Sequence, residues 1–256
     1  MTGLAQLAAR LRALHHGPEP LVLPNAWDAA TARAVVDAGF PAVATTSSGV
    51  SAALGYADGE HTPADEMFDA VQRITRVVPD VPVTADIESG YGLSPEDLVE
   101  RLLAAGAVGC NLEDTDHHAA PGSHTLVDAA TQQHRLQAVK QAARARGVDI
   151  VLNARTDVFL GQSGSVDEAV RRAKLYLEAG ADAIFPIGAP DEPTTVALVT
   201  GIPAPVNVIA GFRGAPGLAR LREIGVRRIS YAGRLHRAML IDHQRRLAGL
   251  KEWQDL

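Results

Sequence analysis

Residues 146–157 read Arg-Gly-Val-Asp-Ile-Val-Leu-Asn-Ala-Arg-Thr-Asp: a glycine closing a helical stretch, then a short apolar run that finishes in polar side chains. The unit recurs. It follows Asp37-Ala38-Gly39 as AVATTSS, Ala105-Gly106 as VGCNLED, Ala179-Gly180 as DAIFPIG and Ile224-Gly225 as RRISYAG. Each glycine suits the left-handed residue that ends a helix, and each run after it has the length and content of a strand. Three further apolar runs, at 21–25, 81–86 and 204–211, bring the strands to eight. Helical stretches are expected at 27–38, 63–78, 94–105, 128–146, 165–179, 191–199, 215–224 and 233–250. Strict alternation of this kind makes the strands parallel, and eight of them in 256 residues favour one (β/α)8 barrel spanning 1–256. The rival, an open doubly wound sheet, would be expected to show a G-x-G-x-x-G fingerprint after the first strand, and none stands there.

Composition agrees with one folded domain. Apolar residues are 46% of the chain and charged residues 21%, enough for a full core and too little charge for disorder. The net charge of −6 and scattered basic residues argue against nucleic acid as a partner. The single cysteine, Cys110, lies inside an apolar run and has no second thiol to pair with, which fits a reducing, cytoplasmic setting. Neither a signal-like segment nor a run of about 20 apolar residues is present, so no membrane association is expected.

In a barrel, chemistry belongs at the C-terminal ends of the strands. Those ends are acidic: Asp86 and Glu88 close the third run, Glu113 and Asp114 the fourth, and Asn153, Arg155 and Asp157 the fifth. If the strand stays extended, Asp86 and Glu88 face one space, and Glu113 can join them from its neighbour. Three converging carboxylates repel unless a hard divalent cation lies between them, and Mg²⁺ takes one or two carboxylates directly and keeps several waters. The plainer alternative is helix caps or rim ion pairs with Arg155. Arg155 itself reads either as a two-pronged clamp for a substrate carboxylate or as the partner of Asp157. Thr45-Thr46-Ser47-Ser48-Gly49 offers hydroxyls and N–H groups for a small carboxylate, or simply a turn. Trp27 either walls the pocket or packs between strand and helix, and Asp28 caps the helix that follows. The histidines show no zinc spacing apart from adjacent pairs in loops. The least regular stretches, 47–62 and 114–127, are expected to be functional loops.

Read in order, LVLPNAWDAATAR, TTSSGVSAALGYADG, VTADIESGYG, GCNLEDT, LNARTDVFL, GADAIFP, PVNVIAG and GVRRISYAG resemble the isocitrate lyase/phosphoenolpyruvate mutase superfamily over about residues 21–240. The resemblance implies a barrel holding Mg²⁺, or Mn²⁺ in its place, at Asp86, Glu88 and Glu113. It also implies that Arg155 and Ser47-Ser48-Gly49 hold a substrate carboxylate, and that Asp58 lies near the reacting centre. Position 88 is aspartate in many members and glutamate here. The last helix, after Gly233, is implied to exchange with a partner subunit in a homodimer or homotetramer.

The shared chemistry is a 2-oxo acid or its enolate chelated to Mg²⁺ while a bond at C3 breaks or forms. The lyases carry Lys-Lys-Cys-Gly-His in the loop after the fourth strand, whereas Asp116-His117-His118-Ala119-Ala120-Pro121-Gly122-Ser123-His124 stands here. Phosphonopyruvate-forming mutases carry Lys and Asn where Ala119 and Pro121 stand. The Glu113-Asp114-Thr115 run is similar to the oxaloacetate decarboxylase branch. The expected function is therefore a Mg²⁺-dependent lyase or decarboxylase of a small 2-oxo or 2-hydroxy dicarboxylate, with His117, His118 or His124 as proton donor. The alternatives are a phosphonate mutase or phosphonopyruvate hydrolase using Asp58 as nucleophile or base, and a non-catalytic 2-oxo acid binding protein on the same scaffold.

Overall fold

A computed structural model describes residues 3–119, 124–161, 164–211 and 215–251. Every strand expected from the sequence is present, short and parallel. They are β1 (Leu21–Leu23), β2 (Asn25–Ala26), β3 (Val43–Thr45), β4 (Val83–Asp86), β5 (Gly109–Leu112), β6 (Val151–Thr156), β7 (Ala183–Pro186), β8 (Asn207–Ile209) and β9 (Arg228–Ser230). The first expected strand is divided into β1 and β2 by Pro24, which has no N–H for the ladder. Strands β2 to β7 pair in sequence order, and β1, β9 and β8 form a second parallel set in that order. An isolated parallel bridge from Ile184 to Val206 links the two sets.

The expected helices follow as α2 (Ala29–Asp37), α4 (Ala64–Val77), α5 (Pro95–Ala104), α6 (Ala129–Ala145), α7 (Val166–Glu178), α8 (Glu192–Gly201), α9 (Leu218–Ile224) and α10 (Arg234–Lys251). Their starts are chemically marked: Asp28, Ser94, Asp128, Ser165 and Asp191 each accept a first-turn N–H. Gly39, Gly106, Gly147, Gly180 and Gly225 take φ of 88°, 82°, 75°, 96° and 94°, the left-handed region assigned to them. Among the described residues, two α-helices come in addition to those expected. Helix α1 (Gly3–Leu14) precedes β1, and α3 (Ser47–Leu54) replaces the first half of the stretch read as an irregular loop. Among the described residues, no helix is long and apolar enough to cross a membrane.

Helix α1 plugs the end of the strand assembly opposite the acidic rim. Leu11 is fully buried, and a Cβ on Gly109 would stand 2.8 Å from both the Leu11 side chain and the Val151 carbonyl, so only glycine fits. Arg12 reaches Asp182 at 2.7 Å and the Asp149 carbonyl at 2.8 Å, which ties α1 to the strand starts. Further up, the register sets Asp86, Asn111 and Asn153 abreast. Their row is polar inside: Asn111 Oδ1 accepts from Asn153 Nδ2 at 2.8 Å and from Arg228 at 3.0 Å.

Arg228 is buried and also contacts His15 Nε2 at 3.2 Å, while His15 Nδ1 lies 2.8 Å from the Leu11 carbonyl. Arginine can only donate, so the His15 ring is neutral with its proton on Nδ1. Burial, then the Arg228 charge, lower the His15 pKa to about 4. A histidine kept neutral in the fold and free to protonate when unfolded stabilises fully above its ordinary pKa of about 6.5 and loses that contribution as pH falls towards 4. Wild-type protein should therefore lose roughly 2–3 kcal/mol more stability than His15→Gln between pH 7 and pH 4.5. Urea titrations at both pH values check this, and equal losses would contradict it.

Candidate active site

Asp86 ends β4 with its backbone N–H donating to Thr45 Oγ1 at 2.9 Å. Its Oδ2 accepts from Ser47 N at 3.1 Å and Ser47 Oγ at 3.0 Å, so the first residue of α3 is bound to the carboxylate. The other oxygen, Oδ1, is buried without a hydrogen-bond partner. A buried carboxylate oxygen left bare is costly in a folded chain and calls for a cation or water.

The alternation that would aim Glu88 alongside Asp86 stops short, because the strand ends at Asp86 and Glu88 takes φ 50°. Glu88 is 2% exposed; its Oε2 accepts from Gly59 N at 2.7 Å and Glu60 N at 2.6 Å, and its Oε1 accepts from the Tyr91 hydroxyl at 3.0 Å. Burial, then the Asp58 charge, push its pKa up. The loop that follows is held by specific bonds as well: Glu60 Oε1 accepts from Ser89 Oγ and Tyr91 N.

Glu113, just past β5, places Oε2 2.6 Å from Arg155 Nη1 and Oε1 2.7 Å from His117 Nε2. Burial raises the Glu113 pKa against the pull of Arg155. The hydrogen bond to Glu113 raises that of His117. His118 and His124 are exposed, so His117 is the histidine that reaches the acidic cluster, and Pro121 falls outside the described residues.

Arg155 satisfies both of its sequence readings in part. Its Nε and Nη2 bind Asp157 Oδ1 and Oδ2 at 2.6 and 2.8 Å, a two-pronged pair, while Nη1 meets Glu113. Burial weakens the guanidinium, but the two carboxylates more than offset this and raise its pKa, so it stays charged. Nη1 and Nη2 each carry a second N–H beyond these contacts. Asp157 is itself positioned: its N–H donates to Asp114 Oδ1 at 2.8 Å and its Oδ2 accepts from Thr115 Oγ1 at 2.5 Å.

Asp58 sits on the exposed loop after α3. Partial loss of hydration and then the Asp86 charge raise its pKa, with Ser47 and Arg155 opposing. Ser48 and Gly49 occupy the first turn of α3, whose N-cap Thr46 makes no side-chain cap bond, so the Asp86 carboxylate that accepts from Ser47 N meets the positive end of the helix. Gly49 is required by space, since a Cβ would lie 2.7 Å from the Thr46 methyl and 3.1 Å from Trp27. Trp27 packs between strand and helix: it is buried with Val50, Met67 and Ala70, and its ring meets His236 edge-on at 4.9 Å.

Among the described residues, no three His, Cys, Asp or Glu side chains stand ready to hold a metal ion between them. The atom that would hold a divalent ion is the bare Asp86 Oδ1, and the Asp86 charge acts on the neighbouring Glu113 carboxyl. Glu60, Tyr91, Thr115 and Asp114 complete the surroundings and went unassigned from sequence, because their roles depend on loop backbones. A separate cavity of about 370 Å³ beside β7 and β8, lined by Leu160, Pro186, Ile187, Leu198 and Arg234, contains none of these carboxylates.

Comparison with known proteins adds three relatives. A family model described as phosphoenolpyruvate phosphomutase matches residues 11–251. An uncharacterised protein of Mycobacterium tuberculosis is 34% identical over 85% of this chain and 79% of its own. The 2-methylisocitrate lyase of Bacillus subtilis is 31% identical over 71% of this chain and 60% of its own length. A crystal structure from Burkholderia cenocepacia, provisionally called a phosphonomutase, superposes with TM-score 0.85 at 40% identity, covering 96% of this chain and 99% of that one.

Proposed function

The chain belongs to the phosphoenolpyruvate phosphomutase family, whose members include lyases and phosphomutases, and on that footing we propose that it is a Mg²⁺-dependent lyase or decarboxylase cleaving a bond at C3 of a small 2-oxo or 2-hydroxy dicarboxylate. The observation that carries this reading is the bare, buried Asp86 Oδ1 beside the Arg155–Glu113–His117 chain. A divalent ion bound there supplies Lewis-acid stabilisation of the oxygen that becomes an enolate. Arg155 holds the substrate carboxylate with its remaining N–H groups, fixed by Asp157. The N–H groups of Ser48 and Gly49 receive the same end of the substrate. His117, whose pKa the hydrogen bond to Glu113 raises, delivers the proton that C3 requires after the bond breaks.

The test is release of 2-oxo acid from oxaloacetate, phosphonopyruvate and methylisocitrate, with and without Mg²⁺. Metal-dependent turnover of a C–C substrate supports the proposal. Turnover of phosphonopyruvate alone replaces it with C–P chemistry, a reading favoured by the Burkholderia structure and by the raised Asp58 carboxyl next to Ser47. Binding without turnover of any of the three replaces it with a sensor.

Two architectural readings belong with it. The strand pairings together with the Ile184–Val206 bridge support a closed eight-stranded barrel. Helix α10 has no buried residue and exposes Met239, Leu240, Ile241, Leu247 and Leu250, which supports a homodimer or homotetramer in which this helix packs on a partner. Light scattering that returns a monomer mass would exclude it.

A further inference from the structure

We infer that Glu88 and Glu60 form a two-way latch between the Asp58 loop and the loop after β4, and that Glu88 serves this latch as a positioning residue instead of ligating metal. Glu88 Oε2 accepts from Gly59 N and Glu60 N at 2.7 and 2.6 Å. In return, Glu60 Oε1 accepts from Ser89 Oγ and Tyr91 N, both at 2.6 Å. Each loop thus gives a carboxylate to the other: Glu88 receives two backbone N–H groups, and Glu60 receives one backbone N–H and the Ser89 hydroxyl. Charge-assisted bonds of this length are about twice as strong as neutral ones.

The backbone supports the same conclusion. Glu60, Glu88 and Tyr91 take φ of 60°, 50° and 58°, a region that residues with a Cβ seldom occupy. Three such residues close together persist only where the surrounding bonds over-determine them, and the latch bonds are those bonds. The consequence falls on Asp58, which directly precedes Gly59. Pinning Gly59 and Glu60 holds Asp58 where the Asp86 charge acts on its carboxyl. With Oε2 bound to two N–H groups and Oε1 to the Tyr91 hydroxyl, both Glu88 oxygens are already engaged. The length of the side chain matters: a carboxylate one methylene shorter would have to draw the 59–60 backbone inward to keep both bonds.

This inference rests on the proposed function for its consequence, but the latch can be read with no substrate present. Hydrogen–deuterium exchange is measured on wild type, Glu88→Gln and Glu60→Gln, each checked for an unchanged melting temperature, with the α5 peptide as an internal control. Mn²⁺ affinity is measured on the same proteins. Glu88→Gln should speed exchange of the Gly59 and Glu60 amides by about tenfold or more, with α5 unaffected, and leave the Mn²⁺ Kd within about threefold. Glu60→Gln should speed exchange at Tyr91 instead. Unchanged exchange in both variants, or loss of Mn²⁺ affinity beyond about threefold in Glu88→Gln, overturns the inference. If Glu88→Gln fails to fold, Glu60→Gln alone decides, through Tyr91 exchange. Wild type that binds no Mn²⁺ defeats the metal reading, and the exchange data still decide the latch.

Discussion

Asp86→Asn should abolish detectable Mg²⁺ or Mn²⁺ binding and lower kcat/KM by about a thousandfold or more, which corresponds to roughly 4 kcal/mol of transition-state stabilisation. The substitution is nearly isosteric, and an amide oxygen still accepts the bonds from Ser47 N and Oγ that now end on Oδ2. What is lost is the negative charge and the bare Oδ1, the one buried carboxylate oxygen of the trio with neither a hydrogen bond nor an ion pair. Loss of metal binding with an unchanged melting temperature would separate the chemical role from a structural one. Isothermal titration with Mn²⁺ and steady-state kinetics on the same preparation make the check. A variant that keeps both affinity and turnover would show that the charge of Asp86 is not what the site uses.

The second large effect falls on stability. Asp114 is fully buried and accepts from Asp157 N at 2.8 Å, Tyr176 Oη at 2.7 Å and Arg172 Nη1 at 3.1 Å. Burial raises its pKa, while the hydrogen bonds from Asp157 and Tyr176 oppose the rise. Asp114→Ala strips a buried arginine of one carboxylate and leaves the Tyr176 O–H and the Asp157 amide without an acceptor. Removing one partner of a buried ion pair costs about 3–5 kcal/mol, so a fall in melting temperature on the order of 10 °C is expected. Arg172 retains Glu168 at 2.8 Å, which places the effect towards the lower end of that range. Turnover should fall as well, because Asp157, and through it Arg155, loses its anchor. Thermal unfolding followed by circular dichroism checks the first effect, and a shift under about 2 °C would contradict it.

The strands and most helices were readable because their signals are local. A glycine at a left-handed position followed by a short apolar run needs no tertiary information, and Gly39, Gly106, Gly147, Gly180 and Gly225 all supply it. Helix α1 is equally legible, since Leu4, Leu7 and Leu11 recur at helical spacing. Helix α3 is a different case. Thr45 to Gly49 spells a turn, and only the extended Thr46 and the close approach of Gly49 to Trp27 convert it into a helix start.

Within the site, residue types at strand ends were legible and side-chain directions were not. Asp86, Glu113 and Arg155 stand where β4, β5 and β6 deliver them. The orientation of Glu88 depends on a positive φ that no propensity would assign to glutamate, and the pairing of Glu113 with His117 depends on how the loop after β5 returns through the Thr115–Leu126 bridge. Likewise, the adjacent Arg227 and Arg228 look alike in sequence. The strand sends one outwards to the Gly17 carbonyl and buries the other against Asn111.

Anomalous diffraction from crystals grown with Mn²⁺ and oxalate, a stand-in for the enolate of a 2-oxo acid, addresses the metal site itself. The account predicts one Mn²⁺ peak within about 2.2 Å of Asp86 Oδ1, with oxalate on its far side and within hydrogen-bond reach of Arg155. A peak coordinated elsewhere, or none next to Asp86 at saturating Mn²⁺, would contradict it.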